Sequence, residues 1–177
     1  MFRLEVRTGV ELRMLEDRHT EEVFAAVDAN REHLRRWMPW VDSTIGPDAT
    51  RQYIRKSLDQ FARNEGFVAG IRVDGKFAGC IGYLPIDWTH RKVEIGYWLA
   101  QEFEGQGLMA ACARVLVDHA LEVWKLHRLE IRCVAGNTRS AAVASRLGFQ
   151  WEGTLRQAFL LRGEYHDLHV FSMVGRS

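Results

Sequence analysis

The feature that most constrains this sequence is a change of hydrophobic period within one short segment. Val93, Ile95, Tyr97 and Leu99 alternate with intervening residues, as expected of a β-strand. After two glycines, the residues that recur have the spacing of one helix face; they are Leu108, Cys112, Val115, Leu116, His119 and Val123. The segment therefore predicts a strand, a glycine-bearing turn and a long helix in direct succession.

The predicted turn is suited to binding a phosphate group. The first N–H groups of a helix have no partner within the helix and lie at its positive end, so they form an anion site. Gly105 and Gly107 lack a Cβ atom, so a diphosphate can approach the backbone closely. The alternative is that both glycines serve only the conformation of the turn.

The rest of the pattern predicts an α+β fold with a largely antiparallel sheet and helices packed on it. Asp74-Gly75 joins the apolar runs 67–73 and 76–84, which is typical of a two-residue hairpin with positive φ at both turn positions. The other predicted elements are a helix from Thr20, a loop over 40–46, a helix capped by Asp48, a strand over 129–134, a helix over 138–147 ending at Gly148, and a hairpin over 159–174.

Length and composition limit the classes of protein that fit. A chain of 177 residues is expected to form one domain, 1–177. It lacks the run of about 18 apolar residues that a membrane span needs, and its start lacks the pattern of a secretory signal, so we expect a cytoplasmic protein. The net charge of +1 provides no basic field for nucleic acid.

The cysteines and histidines do not suggest a metal site or a disulfide framework. Cys80, Cys112 and Cys133 are odd in number and lie among apolar residues, which fits reduced thiols in the core. His166 and His169 would point to opposite faces of a strand. We therefore expect no metal cofactor.

Four motifs together resemble a known family. Residues 102–107 are similar to the pyrophosphate-binding motif Gln/Arg-x-x-Gly-x-Gly/Ala of the GCN5-related N-acetyltransferase (GNAT) superfamily, with Glu102 departing from it. Residues 137–140 and 147–149 resemble the Asn-x-x-Ser and Leu-Gly-Phe signature of its RimJ/RimL-type ribosomal-protein acetyltransferase branch. Residues 37–40 and 163–167 resemble that branch's aromatic-proline segment and its C-terminal hairpin.

The resemblance implies a GNAT fold, in which a mixed, mostly antiparallel twisted sheet has splayed central strands that hold acetyl-CoA. It implies that Asn137 binds the pantetheine arm and that Ser140 steadies or protonates the leaving thiolate. The backbone and turn residues that it assigns to the coenzyme are Trp98, Leu99, Ala100, Phe103, Glu104, Gly105, Gln106, Gly107, Leu108 and Met109.

Acetyl transfer needs an uncharged amine, an oxyanion donor and a proton source for the sulfur. Glu94 is a candidate base acting through a water, although a strand carboxylate is equally often a solvated group; the N–H near Leu99 is the expected oxyanion donor. Some members of the branch have a glutamate where we align Phe159, and that base would be absent here. Tyr165, Asp167 and Glu152 then become substitute candidates.

The resemblance also suggests an acceptor site. Trp37 and Trp40 would wall a channel, Asp42 would attract a cationic amine, and Asp167 would contact the substrate. Aromatic residues on a loop are otherwise packing residues. The leading acceptor is the N-terminal Ser or Ala amine of a ribosomal or other protein. A small cationic amine, such as a polyamine or an aminoglycoside, and a homodimeric state also remain open.

Two other functions compete with this interpretation. Gly105, Gly107 and Ala110 also satisfy a loose dinucleotide fingerprint, which would indicate an oxidoreductase. The turn falls late in the chain, after a hairpin, and the next strand does not end in an acidic residue, so this alternative is the weaker one. A non-catalytic acyl-CoA-binding module on the same fold is the other.

Overall fold

Eight strands form one sheet in the order β1-β2-β3-β4-β5-β6-β8-β7 in the computed structural model, which describes residues 3–175. All neighbouring strands are antiparallel except β5 and β6, which are parallel. The strands are β1 Arg3–Arg7, β2 Val10–Met14, β3 Phe67–Val73, β4 Lys76–Tyr83, β5 Lys92–Leu99, β6 Arg128–Val134, β7 Gln150–Leu161 and β8 Glu164–Val174.

Helices cover both faces of this sheet, which confirms the predicted α+β class. Short 3₁₀ turns accompany them at Asp17–His19, Pro39–Ser43 and Gln101–Phe103, and a π-helical turn spans His119–Val123. The α-helices are α1 Thr20–Ala29, α2 Arg31–Leu34, α3 Pro47–Ala62, α4 Leu108–Asp118 and α5 Thr138–Leu147.

The alternation along β5 divides the core into two layers. Trp98 packs with Val23 of α1 and Ile54 of α3 on one face of the sheet. Ile95 packs with Leu116 of α4 on the other face, in the cluster that α5 also joins. Because neighbouring residues of a strand point to opposite faces, β5 contributes side chains to both layers.

The two central strands separate after a short parallel ladder. Residues 92–94 of β5 pair with residues 128–130 of β6, and the ladder ends there. The remaining residues of β5 and β6 have no common register, so a gap opens between the strands toward their C-terminal ends. This geometry confirms the splayed central strands expected from the resemblance.

Several sequence predictions are confirmed and others are corrected. The hairpin turn has φ of 48° at Asp74 and 80° at Gly75, as predicted. Helix α3 begins at Pro47, with Gly46 as its N-cap, so Asp48 lies in the first turn and not at the cap. Proline is well suited to a first helical position because its φ is already fixed.

Other differences concern irregular and edge segments. Val123 does not continue the buried stripe of α4 and is 64% exposed, because the π-helical turn shifts the phase of the helix. The segment predicted as a loop includes the 3₁₀ turn Pro39–Ser43. Strand β7 begins at Gln150, nine residues earlier than the predicted 159, and the N-terminal hairpin β1–β2 was not predicted.

Within residues 3–175, none of the helices has the length and apolar character needed to cross a membrane. The same residues contain no group of three or more His, Cys, Asp or Glu side chains placed to hold a metal ion.

Candidate active site

Part of the backbone of β5 is directed to the gap beside β6 and not to β4. The Ala100 N–H donates to the Ala78 carbonyl at 2.8 Å, and the Leu84 N–H donates to the Glu94 carbonyl at 2.9 Å. Both bonds involve even-numbered positions, 94 and 100, and hydrogen-bonded positions alternate along an antiparallel pair. Given the register of β4 and β5, the backbone groups of even-numbered residues of β5 therefore point to β4. The N–H and C=O groups of Tyr97 and Leu99 therefore face the gap.

This pattern corrects part of the predicted pantetheine contact. Leu99 has its backbone groups directed to the gap, as expected of an oxyanion or pantetheine partner. The backbone groups of Trp98 are directed to β4 instead, and so is the Ala100 N–H, which is already bonded there, while the Ala100 carbonyl accepts the Phe103 N–H. Tyr97 has its backbone groups on the gap side, because it lies two residues before Leu99 on the same edge of the strand.

The turn after β5 exposes a run of backbone donors. Gly105 and Gly107 have φ of 78° and 67°, in the left-handed region that favours glycine. The N–H groups of residues 105–110 donate no hydrogen bond to any residue between 3 and 175, and the first helical bond runs from Ala111 to Gly107. A Cβ atom at either glycine would meet nothing within 4 Å, so the turn is open to a ligand.

Two of the residues assigned to the coenzyme turn, Phe103 and Glu104, do not have free backbone N–H groups. The Phe103 N–H donates to Ala100 at 3.0 Å, and the Glu104 N–H donates to Gln101 at 3.2 Å, because the segment forms a 3₁₀ turn. The free donors therefore begin at Gly105 and continue through Gln106, Gly107, Leu108 and Met109 to Ala110.

The Glu104 side chain ties the turn to two helices. It forms an ion pair with Arg139 of α5 and lies 3.1 Å from Nε2 of His33 in α2. Burial, helped by the positive charges of Arg139 and Arg36, lowers the pKa of His33, so this imidazole is neutral at neutral pH. Although the His33–Glu104 distance is that of an ion pair, the contact is therefore not a full ion pair at neutral pH.

The start of α5 places two predicted residues beside the gap. Oδ1 of Asn137 accepts the Ser140 N–H at 3.1 Å and caps the helix, which leaves its amide nitrogen as a donor. The Ser140 hydroxyl lies 3.0 Å from the Tyr97 hydroxyl. Burial raises the pKa of Tyr97 to about 12, so the tyrosine is protonated at neutral pH.

A cavity of about 780 Å³ adjoins the gap. It brings together residues that are far apart in the sequence, from α1, the segment before α3, α3 itself, β4, β5, β6, α5 and the β7–β8 hairpin. The predicted site residues that line it are Trp37, Trp40, Glu94, Trp98, Asn137 and Ser140, and Phe159 also lines it.

Glu94 lies in this cavity in a polar setting that the sequence did not show. Its side chain is 28% exposed, and Oε2 is 3.5 Å from Nε of Arg132. Arg132 also bonds Glu130 at 2.9 and 2.6 Å. Burial raises the pKa of Glu94, with the Arg132 charge opposing the rise and Glu130 adding to it.

Four other candidates lie outside the lining of the cavity. Asp42 is directed to Arg35, at 3.2 Å, and Tyr165 is 64% exposed. Asp167 accepts the Gln157 N–H at 2.9 Å, next to an irregularity in β7. Hydrogen bonds from Arg128 and Ser172 lower the pKa of Glu152 to about 2, which removes it as a base.

Sequence reasoning missed several residues of the site. Tyr97 was recognised only as a strand position, and Arg132 and Cys133 only as parts of a strand. The alternation along a strand indicates that neighbouring side chains point to opposite faces of the sheet, but it does not indicate which face lines the cavity. The missed residues that line it include Gln52, Tyr53, Lys56, Tyr97, Arg132, Cys133 and Leu168.

Comparison with known proteins identifies the family. The model of the acetyltransferase (GNAT) domain family matches residues 10–150, which include the gap, the glycine turn and the start of α5. The chain belongs to the acetyltransferase (GNAT) family.

Three relatives of this acetyltransferase illustrate its position in the family. The protein named "Putative ribosomal N-acetyltransferase YdaF" of Bacillus subtilis is 34% identical over 99% of this chain and 97% of its own. The structure of RimL, a ribosomal L7/L12 alpha-N-protein acetyltransferase, has a TM-score of 0.95 at 28% identity, with 98% of both chains covered; it holds coenzyme A in a disulfide with a cysteine. Spermidine N(1)-acetyltransferase of Escherichia coli is 28% identical over 55% of this chain and 52% of its own.

These findings confirm the predicted family, fold and enzyme class. This acetyltransferase is an acetyl-CoA-dependent N-acetyltransferase whose acceptor is an amine. The free amides of the turn and the backbone edge of β5 that faces the gap fit the diphosphate and the amide-bearing arm of coenzyme A. The family match favours this coenzyme over the dinucleotide of the oxidoreductase alternative, and catalysis over a purely binding role.

Proposed function

We propose that this acetyltransferase acetylates the α-amine at the N-terminus of a protein, with an N-terminal Ser or Ala of a ribosomal protein as the leading acceptor. The observation that carries the proposal is the cavity of about 780 Å³ beside the gap, together with the similarity to ribosomal N-acetyltransferases. Exposed residues of α3, including Gln52 and Lys56, line the cavity, so a peptide end has access from solvent.

Coenzyme A is held mainly by backbone groups in this proposal. The amides of residues 105–110 bind the diphosphate, with the positive end of α4 behind them. The free edge of β5 at Tyr97 and Leu99 pairs with the pantetheine arm, as an added strand would. The Asn137 amide donates to the same arm. Acetyl-CoA supplies the activated acetyl group at the end of this arm.

Glu94 is the proposed general base. It shares a face of β5 with Trp98, on the side of α1 and α3, whereas Tyr97 and Ser140 lie on the side of α5. The acceptor amine and the coenzyme therefore approach the gap from opposite faces of the sheet. A carboxylate whose pKa is raised by burial is a stronger base toward an ammonium group than an exposed one.

The leaving sulfur requires a proton donor on the opposite side. Ser140 lies beside the gap, and the protonated Tyr97 hydroxyl is within hydrogen-bond distance of it. Tyr97 can donate to Ser140 while Ser140 donates to the sulfur. Cys133 lines the same cavity as Ser140, and burial raises the pKa of its thiol.

A small cationic amine is the second candidate acceptor. The similarity to spermidine N(1)-acetyltransferase favours it, and so do the aromatic walls formed by Trp37 and Trp40. Aromatic faces attract ammonium groups through cation–π interactions.

A thiol-release assay with acetyl-CoA tests the choice between these acceptors. The panel contains short peptides beginning with Ser or Ala, N-terminally blocked versions of the same peptides, spermidine and an aminoglycoside. We expect the free Ser and Ala peptides to have kcat/KM about tenfold or more above spermidine, a difference of about 1.4 kcal/mol, and the blocked peptides to be inert. Turnover of spermidine without turnover of any peptide would refute the proposal.

We further propose that residues 1–177 form one domain that acts in the cytoplasm. One continuous sheet from β1 to β8 supports the single domain, and the free, buried Cys80, Cys112 and Cys133 fit a reducing compartment. A homodimer stays a prediction, which sedimentation velocity would test.

A further inference from the structure

The charges that line the acceptor cavity do not balance. Its charged lining residues, within the described chain, are Glu94, Arg132 and Lys56. Glu94 and Arg132 lie 3.5 Å apart, within a network of ion pairs in which Arg132 also pairs with Glu130 and Glu130 pairs with Arg128. Lys56 forms no ion pair with any residue from 3 to 175, so its charge is the uncompensated one.

Helix α3 directs Lys56 toward the entrance. Positions 49, 52, 53 and 56 all line the cavity, and this spacing places them on one face of a helix. Thr50 also lines the cavity but is buried, whereas Lys56 is exposed. Lys56 therefore belongs to the solvent-exposed part of the cavity lining, whereas the side chain of Glu94 is only 28% exposed.

We propose that Lys56 makes the cavity select acceptors that carry a negative charge within the first few residues after the reacting amine, and reject polyamines. This inference rests on the proposed function and names its substrate class. An N-terminal peptide with Asp or Glu at its second or third position places a carboxylate near Lys56 while its α-amine reaches Glu94. A polyamine places a second ammonium group there instead.

A positive charge at this position also assists the chemistry. The acceptor amine reacts only when it is uncharged, and a nearby cation disfavours the ammonium form. The α-amine of a peptide has an ordinary pKa of about 7.7–8.0, lower than that of an aliphatic amine. Near this charge, the uncharged and reactive fraction of a peptide α-amine is therefore larger than that of the amines of a polyamine.

Matched acceptors and matched variants test the inference. Two peptides of equal length begin with Ser and differ only in carrying Asp-Asp or Lys-Lys at the second and third positions; spermidine is the third acceptor. The enzymes are wild type, Lys56→Glu and the control Lys76→Glu. Lys76 is exposed on the β3–β4 hairpin and does not line the cavity.

We expect wild type to prefer the Asp-Asp peptide by about threefold to tenfold in kcat/KM, as one or two solvent-exposed ion pairs allow. Lys56→Glu should lower kcat/KM for this peptide by a similar factor and raise it for the Lys-Lys peptide and spermidine. Lys76→Glu should match wild type. The preference should shrink as salt rises toward 1 M, where exposed charges are screened within about 3 Å.

The outcomes separate the two proposals. If peptides are acetylated but wild type ignores their charge, or Lys56→Glu changes all three acceptors by the same factor, the role of Lys56 is refuted and the proposed function stands. If no peptide releases thiol, the proposed function fails and the inference fails with it. Acetyl-CoA affinity and near-UV circular dichroism of Lys56→Glu, both expected to match wild type, exclude a folding defect.

Discussion

The glycine turn proposed to bind the coenzyme and the cavity proposed to hold the acceptor are built from different kinds of groups. The turn after β5 offers consecutive backbone amides, placed by the positive φ of Gly105 and Gly107. The cavity is lined by side chains that extend from Val23 to Leu168 in the sequence. A backbone site persists through most side-chain changes, whereas a side-chain site changes with single substitutions. One coenzyme and many acceptors are therefore compatible with the same fold.

The largest effect should come from Glu94 in the cavity. Glu94→Gln removes the proposed base without changing size, so we expect kcat to fall by about 10²–10³-fold and acetyl-CoA affinity to stay unchanged. Because only the carboxylate accepts a proton, the wild-type advantage should shrink as the pH falls below the raised pKa of Glu94. Stopped-flow or thiol-release kinetics across pH measure both effects.

Glu152→Gln is the matched control for this prediction. Glu152 is paired with Arg128 and lies outside the cavity lining, so the same substitution there should leave the rate within about twofold of wild type. A Glu94→Gln enzyme that keeps more than half of the wild-type rate would show that the base lies elsewhere.

A smaller effect, of a different kind, should come from the turn. Gly107→Val forces a β-branched residue into the left-handed region and disturbs the amides at the start of α4. Losing one or two charge-assisted hydrogen bonds should weaken acetyl-CoA binding by about 10–100-fold. Titration calorimetry measures the dissociation constant directly.

The hairpin turn offers a control with the same backbone strain. Gly75 has φ of 80° and, like Gly107, has no atom within 4 Å of an added Cβ. Gly75→Val should lower the free energy of unfolding by about 1–2 kcal/mol and leave acetyl-CoA affinity unchanged. Equal loss of affinity in both variants would mean that strain, and not the amides of the turn, controls binding.

The smallest of these three effects should appear where the two regions meet. Ser140→Ala removes the hydroxyl proposed to protonate the leaving sulfur, and we expect kcat to fall by about tenfold, at the weak end of proton-transfer catalysis because a coenzyme thiol is a good leaving group. The dissociation constant of acetyl-CoA should change by less than twofold, because the helix cap at Asn137 uses only the Ser140 backbone N–H.

Ser145→Ala on the same helix is the control, since that hydroxyl donates to the Ala141 carbonyl at 3.1 Å and is exposed. It should leave kcat unchanged. If Ser140→Ala also leaves kcat unchanged, the assignment of the serine is wrong; if Tyr97→Phe alone slows the reaction, the tyrosine is the direct donor.

Prediction from the sequence succeeded where the signal was local. The alternation in β5, the Asp74-Gly75 turn and the helix after Gly107 follow from periodicity and from the φ that glycine permits. The hairpin β1–β2 and the early part of β7 were missed. Strand β1 does alternate charged and apolar residues, but it is only five residues long and mostly exposed. Most residues of β7 are also exposed, and its first part lacks the regular apolar alternation on which strand prediction depends.

The surroundings of the candidate side chains could not be predicted from the sequence. Glu94 was a candidate with an equally plausible solvated role, and the raised pKa came from burial and from Glu130 on the neighbouring strand. Asp42 and Asp167 have the right chemistry for an amine site, yet one pairs with Arg35 and the other with the backbone of Gln157.

The sequence by itself determined the strand, the glycine turn and the free amides that begin α4, because φ and helical hydrogen bonds involve residues within a few positions of each other. Only the tertiary structure decided which charges share the acceptor cavity. Arg132 reaches Glu94 from another strand, and Lys56 joins them from a helix some forty residues earlier. A strand pattern specifies two faces but not what covers either one, and that depends on how distant segments pack.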